Sequence, residues 1–234
     1  MTCRDRPLFA KAVLFDVDGT LFDSRDAFYF LIEDLFSQAG WVLPERGRIV
    51  GLIGLTNEDI ATNLIPPKIQ NPEVVRRWSA RAEKLWIGKY LPRYVKLYPG
   101  VYSVLKSLKD RGFKLGVATN GSSTEIPLYL EQGHVTRFMD VVVTANDVRH
   151  PKPHPEPLLT ACERIRVEPS SCVYVGDTKM DAESSRAAGM SCVLMTWGVG
   201  KVEELNEYGH CALVDSFEEL AGLLKPADAR EDSS

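Results

Sequence analysis

Two aspartates separated by a single residue close an uninterrupted apolar run, Ala12-Val13-Leu14-Phe15-Asp16-Val17-Asp18-Gly19-Thr20. A run of that length and composition reads as a buried strand of a parallel sheet, and such strands present ligands at their carboxyl ends. Holding two carboxylates beside an apolar strand costs roughly several kcal/mol unless a cation or strong hydrogen bonds offset repulsion and desolvation. A hard metal ion meets that need. Taken alone, Asp18-Gly19-Thr20 also fits an ordinary turn that ends a strand.

Three later segments also follow strand-like runs, and their residue types complement the first pair. Thr119-Asn120-Gly121, after Leu115-Gly116-Val117-Ala118, offers a hydroxyl, an amide and unobstructed backbone N–H groups, all donors for phosphate oxygens. Asn146 to Pro157 sets alternate prolines around Lys152, so that an ammonium sits on a stiff loop as a fixed point charge. A proline-rich surface loop with a solvated lysine fits the same residues, and Asp147, His150 and His154 either shape that loop or decorate it. Gly176-Asp177-Thr178-Lys179-Met180-Asp181, after Val173-Tyr174-Val175, places two aspartates at the start of a helix. Carboxylates there suit the helix dipole, and capping accounts for either one. It does not account for acids ending both this strand and the first.

The elements that must position these groups are legible as alternating apolar runs and helical patterns. The runs are Ala12 to Val17, Phe113 to Ala118, Val141 to Thr144, Cys172 to Val175, Cys192 to Met195 and Ala212 to Val214. That rhythm predicts an open parallel α/β sheet, Rossmann-like, with helices on both faces. Helices are expected after Pro99-Gly100, closing at Arg111-Gly112, and from Asp181 to Ala188, stopping at Gly189. Between Leu21 and about Tyr98 no convincing strand appears, only helical patterns such as Phe28 to Ala39 and Val74 to Tyr90. A connection that long reads as an inserted helical subdomain, entering directly after the paired aspartates. The expected organisation is a core of residues 1–21 and 98–225, a small all-helical cap of residues 22–97, and a disordered polar tail of residues 226–234. If the first strand neighbours the one before Gly176, then Asp16, Asp18, Asp177 and Asp181 converge on an oxygen-lined cavity suited to Mg²⁺. With Thr119, Asn120-Gly121 and Lys152 on the opposite rim, that is a site for phosphoryl transfer.

In this order the segments resemble the four motifs of the haloacid dehalogenase superfamily: Asp16-Val17-Asp18-Gly19-Thr20, Thr119-Asn120, Lys152, and Gly176-Asp177 with Asp181. The resemblance runs from about Lys11 to Leu224, and the helical insert after the first motif is similar to the cap of the phosphoglycolate-phosphatase-like branch. It implies that Asp16 is the nucleophile and forms an aspartyl-phosphate, while Asp18 protonates the leaving group and then deprotonates water. It further implies Mg²⁺ held by Asp16, the Asp18 backbone carbonyl and Asp177, with Asp181 at the metal's edge or orienting a neighbour. Thr119, Asn120, Gly121 and Lys152 would hold phosphate. The superfamily's dehalogenases lack the second aspartate, so Asp18 argues for phosphate chemistry.

Specificity is expected from the cap, with Gly54, Thr56 and Asn57 as the contact loop, although Thr56 or Asn57 capping a helix fits that loop equally. Mutases of this cap topology carry an arginine in the corresponding loop where this chain has Thr56-Asn57, so hydrolysis of a small phosphomonoester is preferred over a sugar-phosphate mutase. Arg25 and Arg48 remain as distant cations. Phosphoglycolate is the branch's best-known substrate; a non-catalytic binding protein on the same fold is the third reading.

Composition bounds the rest. The 234 residues, 44% of them hydrophobic, are ample for a packed interior, and a net charge of −4 provides no broad basic surface for nucleic acid or anionic lipid. Five cysteines without metal-type spacing, three of them in apolar segments, suggest buried free thiols and a reducing compartment. No apolar h-region precedes Lys11 and no run is long enough to span a bilayer, so a cytoplasmic monomer or homodimer acting on a small phosphorylated metabolite is expected. Trp41, Trp78, Trp86 and Trp197 are read as packing residues.

Overall fold

The computed structural model describes residues 7–208 and 211–228. Its chain runs β1 (Leu8–Ala10), β2 (Ala12–Phe15), β3 (Phe22–Asp23), then α1 (Arg25–Ala39), α2 (Arg46–Val50), α3 (Asn57–Leu64), α4 (Pro72–Leu85) and α5 (Leu91–Tyr94). Next come β4 (Lys96–Leu97), α6 (Val101–Asp110), β5 (Lys114–Ala118), α7 (Ile126–Gln132), β6 (Val141–Val143), α8 (Glu156–Ile165), β7 (Cys172–Gly176) and α9 (Lys179–Ala187). β8 (Ser191–Met195), α10 (Val202–Leu205), β9 (Cys211–Val214), α11 (Phe217–Leu223) and β10 (Leu224–Pro226) complete it.

The main sheet has the order β6-β5-β2-β7-β8-β9, parallel throughout. β2 is therefore central, with Phe15 level with Val117 of β5 on one side and Val175 of β7 on the other. Its four residues are buried on both faces, which is why the run is continuously apolar rather than alternating. Val13 and Phe15 join one core with Leu105 of α6 and Leu220 of α11, while Ala12 and Leu14 join the other with Leu158 and Ala161 of α8. Helices thus cover both faces of the sheet. The sheet direction reverses its chain order at β2 and β7, so the loops after these strands bracket the crevice where such sheets bind ligands.

The segment between β3 and β4 is helical, and its amphipathic faces close against the core: Phe28, Leu31, Ile32, Leu35 and Phe36 of α1 are buried at helical spacing. α4 passes into a π turn at Trp86–Tyr90 before α5. The expectation of no strand between Leu21 and Tyr98 needs correction. Phe22–Asp23 and Lys96–Leu97 pair antiparallel where the chain leaves and rejoins the sheet. Two residues a side is too short to show as a period in sequence. At the other end Pro226 is opposite Ala10 in a parallel pair, so the chain is ordered into the first residues expected to be tail; residues 229–234 lie outside the described residues.

Cys162 and Cys172 are free and buried with their sulfurs 3.3 Å apart. Cys192, by contrast, is disulfide-bonded, which the cysteine spacing does not predict. No helix among the described residues is long and apolar enough to cross a membrane.

Candidate active site

The carboxyl ends of β2, β5 and β7 and the loop after β6 deliver the acids and donors to one place. Asp16, which follows β2, is held by its main-chain N–H donating to Val175 O at 2.8 Å. Asp177 follows β7, and the carboxylates of Asp16, Asp177 and Asp181 bring oxygens within 4.8 Å of one another, all buried. Lys152 enters from the opposite side with its Nζ 2.8 Å from Asp16 Oδ1 and 2.7 Å from Asp181 Oδ1. The contact to Asp16 is a close, fully buried ion pair. Lys152 also donates to Tyr174 Oη at 2.7 Å, and its peptide bond to Pro153 is cis.

Asp181 is occupied on both oxygens. Oδ1 accepts from Lys152 and Tyr174, while Oδ2 accepts from the N–H groups of Asp177 and Thr178 and from the Thr178 hydroxyl. Thr178 in turn caps α9, forming a reciprocal capping box with Asp181. Asp177 accepts from the Thr20 hydroxyl at 2.8 Å and from the Val199 N–H at 2.7 Å. It is packed so closely that a Cβ at Gly19 or Gly198 would lie 2.2 or 2.1 Å from its Oδ2. Only glycine fits at either position.

Asp18 lies three residues beyond the end of β2, half-buried, and its Oδ1 accepts from the Tyr129 hydroxyl of α7 at 2.8 Å. Thr119 is buried, with its Oγ1 accepting from the Gly121 N–H at 3.2 Å. Asn120 is a strut: its amide donates to Lys152 O and Gly54 O, and its Oδ1 accepts from the Lys152 N–H. Gly54, Asn57 and Gly121 line the cavity beside Asp16, whereas Thr56 caps α3 by accepting from the Asp59 N–H. His150 and His154 are exposed and brace the Lys152 loop onto Glu156 at the start of α8.

The electrostatics follow from burial. Desolvation pushes the Asp16 carboxyl up to about 6, against the pull of Lys152, and pushes Asp18 up in spite of the Ser24 and Tyr129 hydroxyls. Burial, with Asp181 and Asp16 adding repulsion, drives Asp177 well above the usual carboxylate range. Asp181 goes the other way: burial opposes its charge, but Lys152 and the Thr178 donors prevail. Burial works against the Lys152 ammonium too, yet Asp16 and Asp181 hold its pKa above the ordinary lysine value. Three buried carboxylates therefore face one buried ammonium. That deficit, in an all-oxygen donor set, fits a hard divalent cation such as Mg²⁺.

Several residues at the site carried no signal of their own in the sequence: Tyr129, Tyr174, Glu125, and the Gly198-Val199 turn that holds Asp177. Trp78 and Trp86, read as packing residues, line the cavity next to Asp18. Their spacing with Ala82, at i, i+4 and i+8, marks one helical face. Glu125 is buried and its N–H-bonded carboxyl is pushed up to about 8, chiefly by desolvation and then by Asp18. Because the folded protein holds this proton more tightly than the unfolded chain, stability should fall as pH rises from about 4.5 to 8, by at most about 1.4 kcal/mol per pH unit. Glu125→Gln removes that slope. Chemical denaturation of both proteins from pH 5 to 8 should show the wild-type curve declining more steeply; parallel curves would contradict the assignment.

A parallel sheet carries an acid-rich crevice at its switch point, with a buried lysine paired to the carboxylate at the end of its central strand. Residues 13–195 match the family described as haloacid dehalogenase-like hydrolase. The chain belongs to that family. It is 30% identical over 214 residues to "Probable phosphatase IndB" of Dickeya dadantii, covering 90% of this chain and 91% of that one. It is equally 30% identical over 229 residues to a phosphoglycolate phosphatase of Nitrosospira multiformis, covering 94% and 97%. A solved haloacid dehalogenase-like hydrolase from Bacteroides fragilis superposes with a TM-score of 0.83 at 26% identity, covering 90% of this chain and 99% of that one.

Proposed function

We propose that this protein is a Mg²⁺-dependent phosphatase that hydrolyses a small phosphomonoester through an aspartyl-phosphate on Asp16. The observation that carries this reading is the ion pair between Lys152 Nζ and Asp16 Oδ1 at 2.8 Å inside a cluster of three buried carboxylates. Asp16, Asp177 and the Asp18 main-chain carbonyl are the groups that would hold Mg²⁺, which when bound neutralises charge between the carboxylate and the phosphate. Asp181 keeps Lys152 aimed.

Asp16, ionised, attacks phosphorus and displaces the alcohol oxygen in line. Asp18, kept protonated more readily by its burial, gives that oxygen a proton and afterwards takes one from the water that opens the aspartyl-phosphate. Tyr129 fixes the Asp18 carboxyl through its hydroxyl. The Thr119 hydroxyl, whose oxygen the Gly121 N–H holds in place, and the Asn120 main-chain N–H take phosphate oxygens, and Lys152 offsets charge on both phosphate and nucleophile. Asn120 positions the Lys152 loop rather than meeting phosphate through its side chain, which is already spent on main-chain partners.

Phosphate release from 4-nitrophenyl phosphate should require added Mg²⁺ after chelation. Asp177→Ala should raise the Mg²⁺ concentration for half-maximal rate by about 10- to 100-fold, the scale of losing a group that supports a metal. Unchanged Mg²⁺ dependence would remove Asp177 from the ligand set.

A further inference from the structure

Asp16 and Asp18 form one end of a cavity whose remaining wall is mostly apolar and aromatic, interrupted by the neutral polar side chains of Ser24, Asn57, Ser79, Thr119 and Tyr129. Phe28 and Ile32 of α1, Ile53 and Ile60 around the Gly54 loop, and Trp78 and Trp86 from α4 and the π turn surround it. Besides the two aspartates, the charged side chains on this wall are Glu83 and Glu125, and no Lys, Arg or His among the described residues lines it. The two arginines that the sequence left in play point their charge elsewhere. Arg25 forks onto Asp23 at 2.8 and 2.7 Å, and Arg48 Nη2 lies 3.5 Å from Asn63 O. The Lys152 ammonium is committed between Asp16 and Asp181.

Resting on the phosphatase reading, we infer that the substrate is a phosphomonoester whose alcohol half is uncharged and largely apolar, on the scale of an aromatic ring, and carries neither a carboxylate nor a second phosphate. A second anion would have to leave water for apolar walls and two acids with no cation to receive it. An apolar ring gains by the same transfer, and its faces meet aromatic side chains. The aromatic wall reaches the proposed proton donor: the Trp86 ring centroid lies 6.3 Å from that of Tyr129, whose hydroxyl binds Asp18. Trp86 Nε1 is buried without a hydrogen-bond partner, a neutral donor for an oxygen of the alcohol half. The chain shares its frame with relatives named for phosphoglycolate and pyrophosphate, yet among the described residues no cationic side chain lines its cavity to meet a second anion.

The test is kcat/KM in Mg²⁺ for phenyl phosphate, 4-carboxyphenyl phosphate, 2-phosphoglycolate and pyrophosphate. Phenyl phosphate should exceed each of the others by at least about tenfold. Glu83 is half-buried at the cavity wall, its Oε1 accepting from Ser122 Oγ at 2.9 Å. Glu83→Lys should raise the ratio of 4-carboxyphenyl to phenyl phosphate by at least about tenfold, a change of selectivity that partial unfolding does not produce. Turnover of 2-phosphoglycolate, pyrophosphate or the carboxylated ester as fast as phenyl phosphate would overturn the inference and leave the phosphatase reading standing. An unmoved ratio in Glu83→Lys would overturn the cavity as the seat of the alcohol half. Failure of all four to release phosphate would overturn the phosphatase reading, and the inference with it.

Discussion

Asp16→Asn should reduce phosphate release by about 10⁴-fold or more, the scale on which an attacking group is lost, while the protein remains folded. The amide keeps the carboxylate's shape and gives up its nucleophilic oxygen. Its effect on stability should be the reverse of its effect on rate. Burial already pushes the Asp16 carboxyl up to about 6, so the folded state bears its charge at a disadvantage, and a neutral isostere relieves it. Lys152 retains Asp181 at 2.7 Å and is not orphaned. Thermal unfolding of the metal-free variant should therefore begin no lower than that of the parent. Residual activity within tenfold of the parent would place the nucleophile elsewhere.

Lys152→Met is expected to be costly in both respects. The methionine fills much of the same volume, so the result reports charge. Its removal leaves Asp16, Asp177 and Asp181 together without a counter-ion, each of them at most 2% exposed. Breaking a buried pair from one side typically costs about 3–5 kcal/mol, and losing a fixed cation at a phosphoryl site about 10²- to 10³-fold in rate. Two features separate this from simple loss of packing. Added Mg²⁺ should recover part of the stability by mass action, and Lys152→Met with Asp181→Asn should be more stable than Lys152→Met alone. Denaturant titrations with and without Mg²⁺ measure both. If the double variant is the less stable, the lysine is not balancing that acid.

The fold was legible because a fully buried parallel strand has no polar alternation to confuse it. Ala12 to Phe15, Leu115 to Ala118 and Cys172 to Val175 are each buried on both faces, and each is followed within two residues by a polar residue that the structure brings to one crevice. The short pair Phe22–Asp23 and Lys96–Leu97 was not, since two residues make no period. Within the site, acids at strand ends announce themselves by their desolvation cost. Hydrogen-bond geometry does not: that Asn120 spans two loops and that Asp181 faces Lys152 depend on which partners lie within 3 Å or so after folding, and only folding decides between Thr56 and Asn57 as the cap that the sequence offered. Tyr129 and Val199 were invisible for a related reason, because a phenol and a backbone N–H acquire meaning only from the carboxylate they reach.

Asn120 has a consequence for how the molecule turns over. Two of its three side-chain hydrogen bonds grip the Lys152 main chain, and one crosses to Gly54 on the helical side. Were the helices to swing outward, a single amide–carbonyl link would part there while the grip on Lys152 survived. Departure of a product would then leave the charged array assembled for the next molecule, and the same asparagine would register each return of the helices without itself being reset.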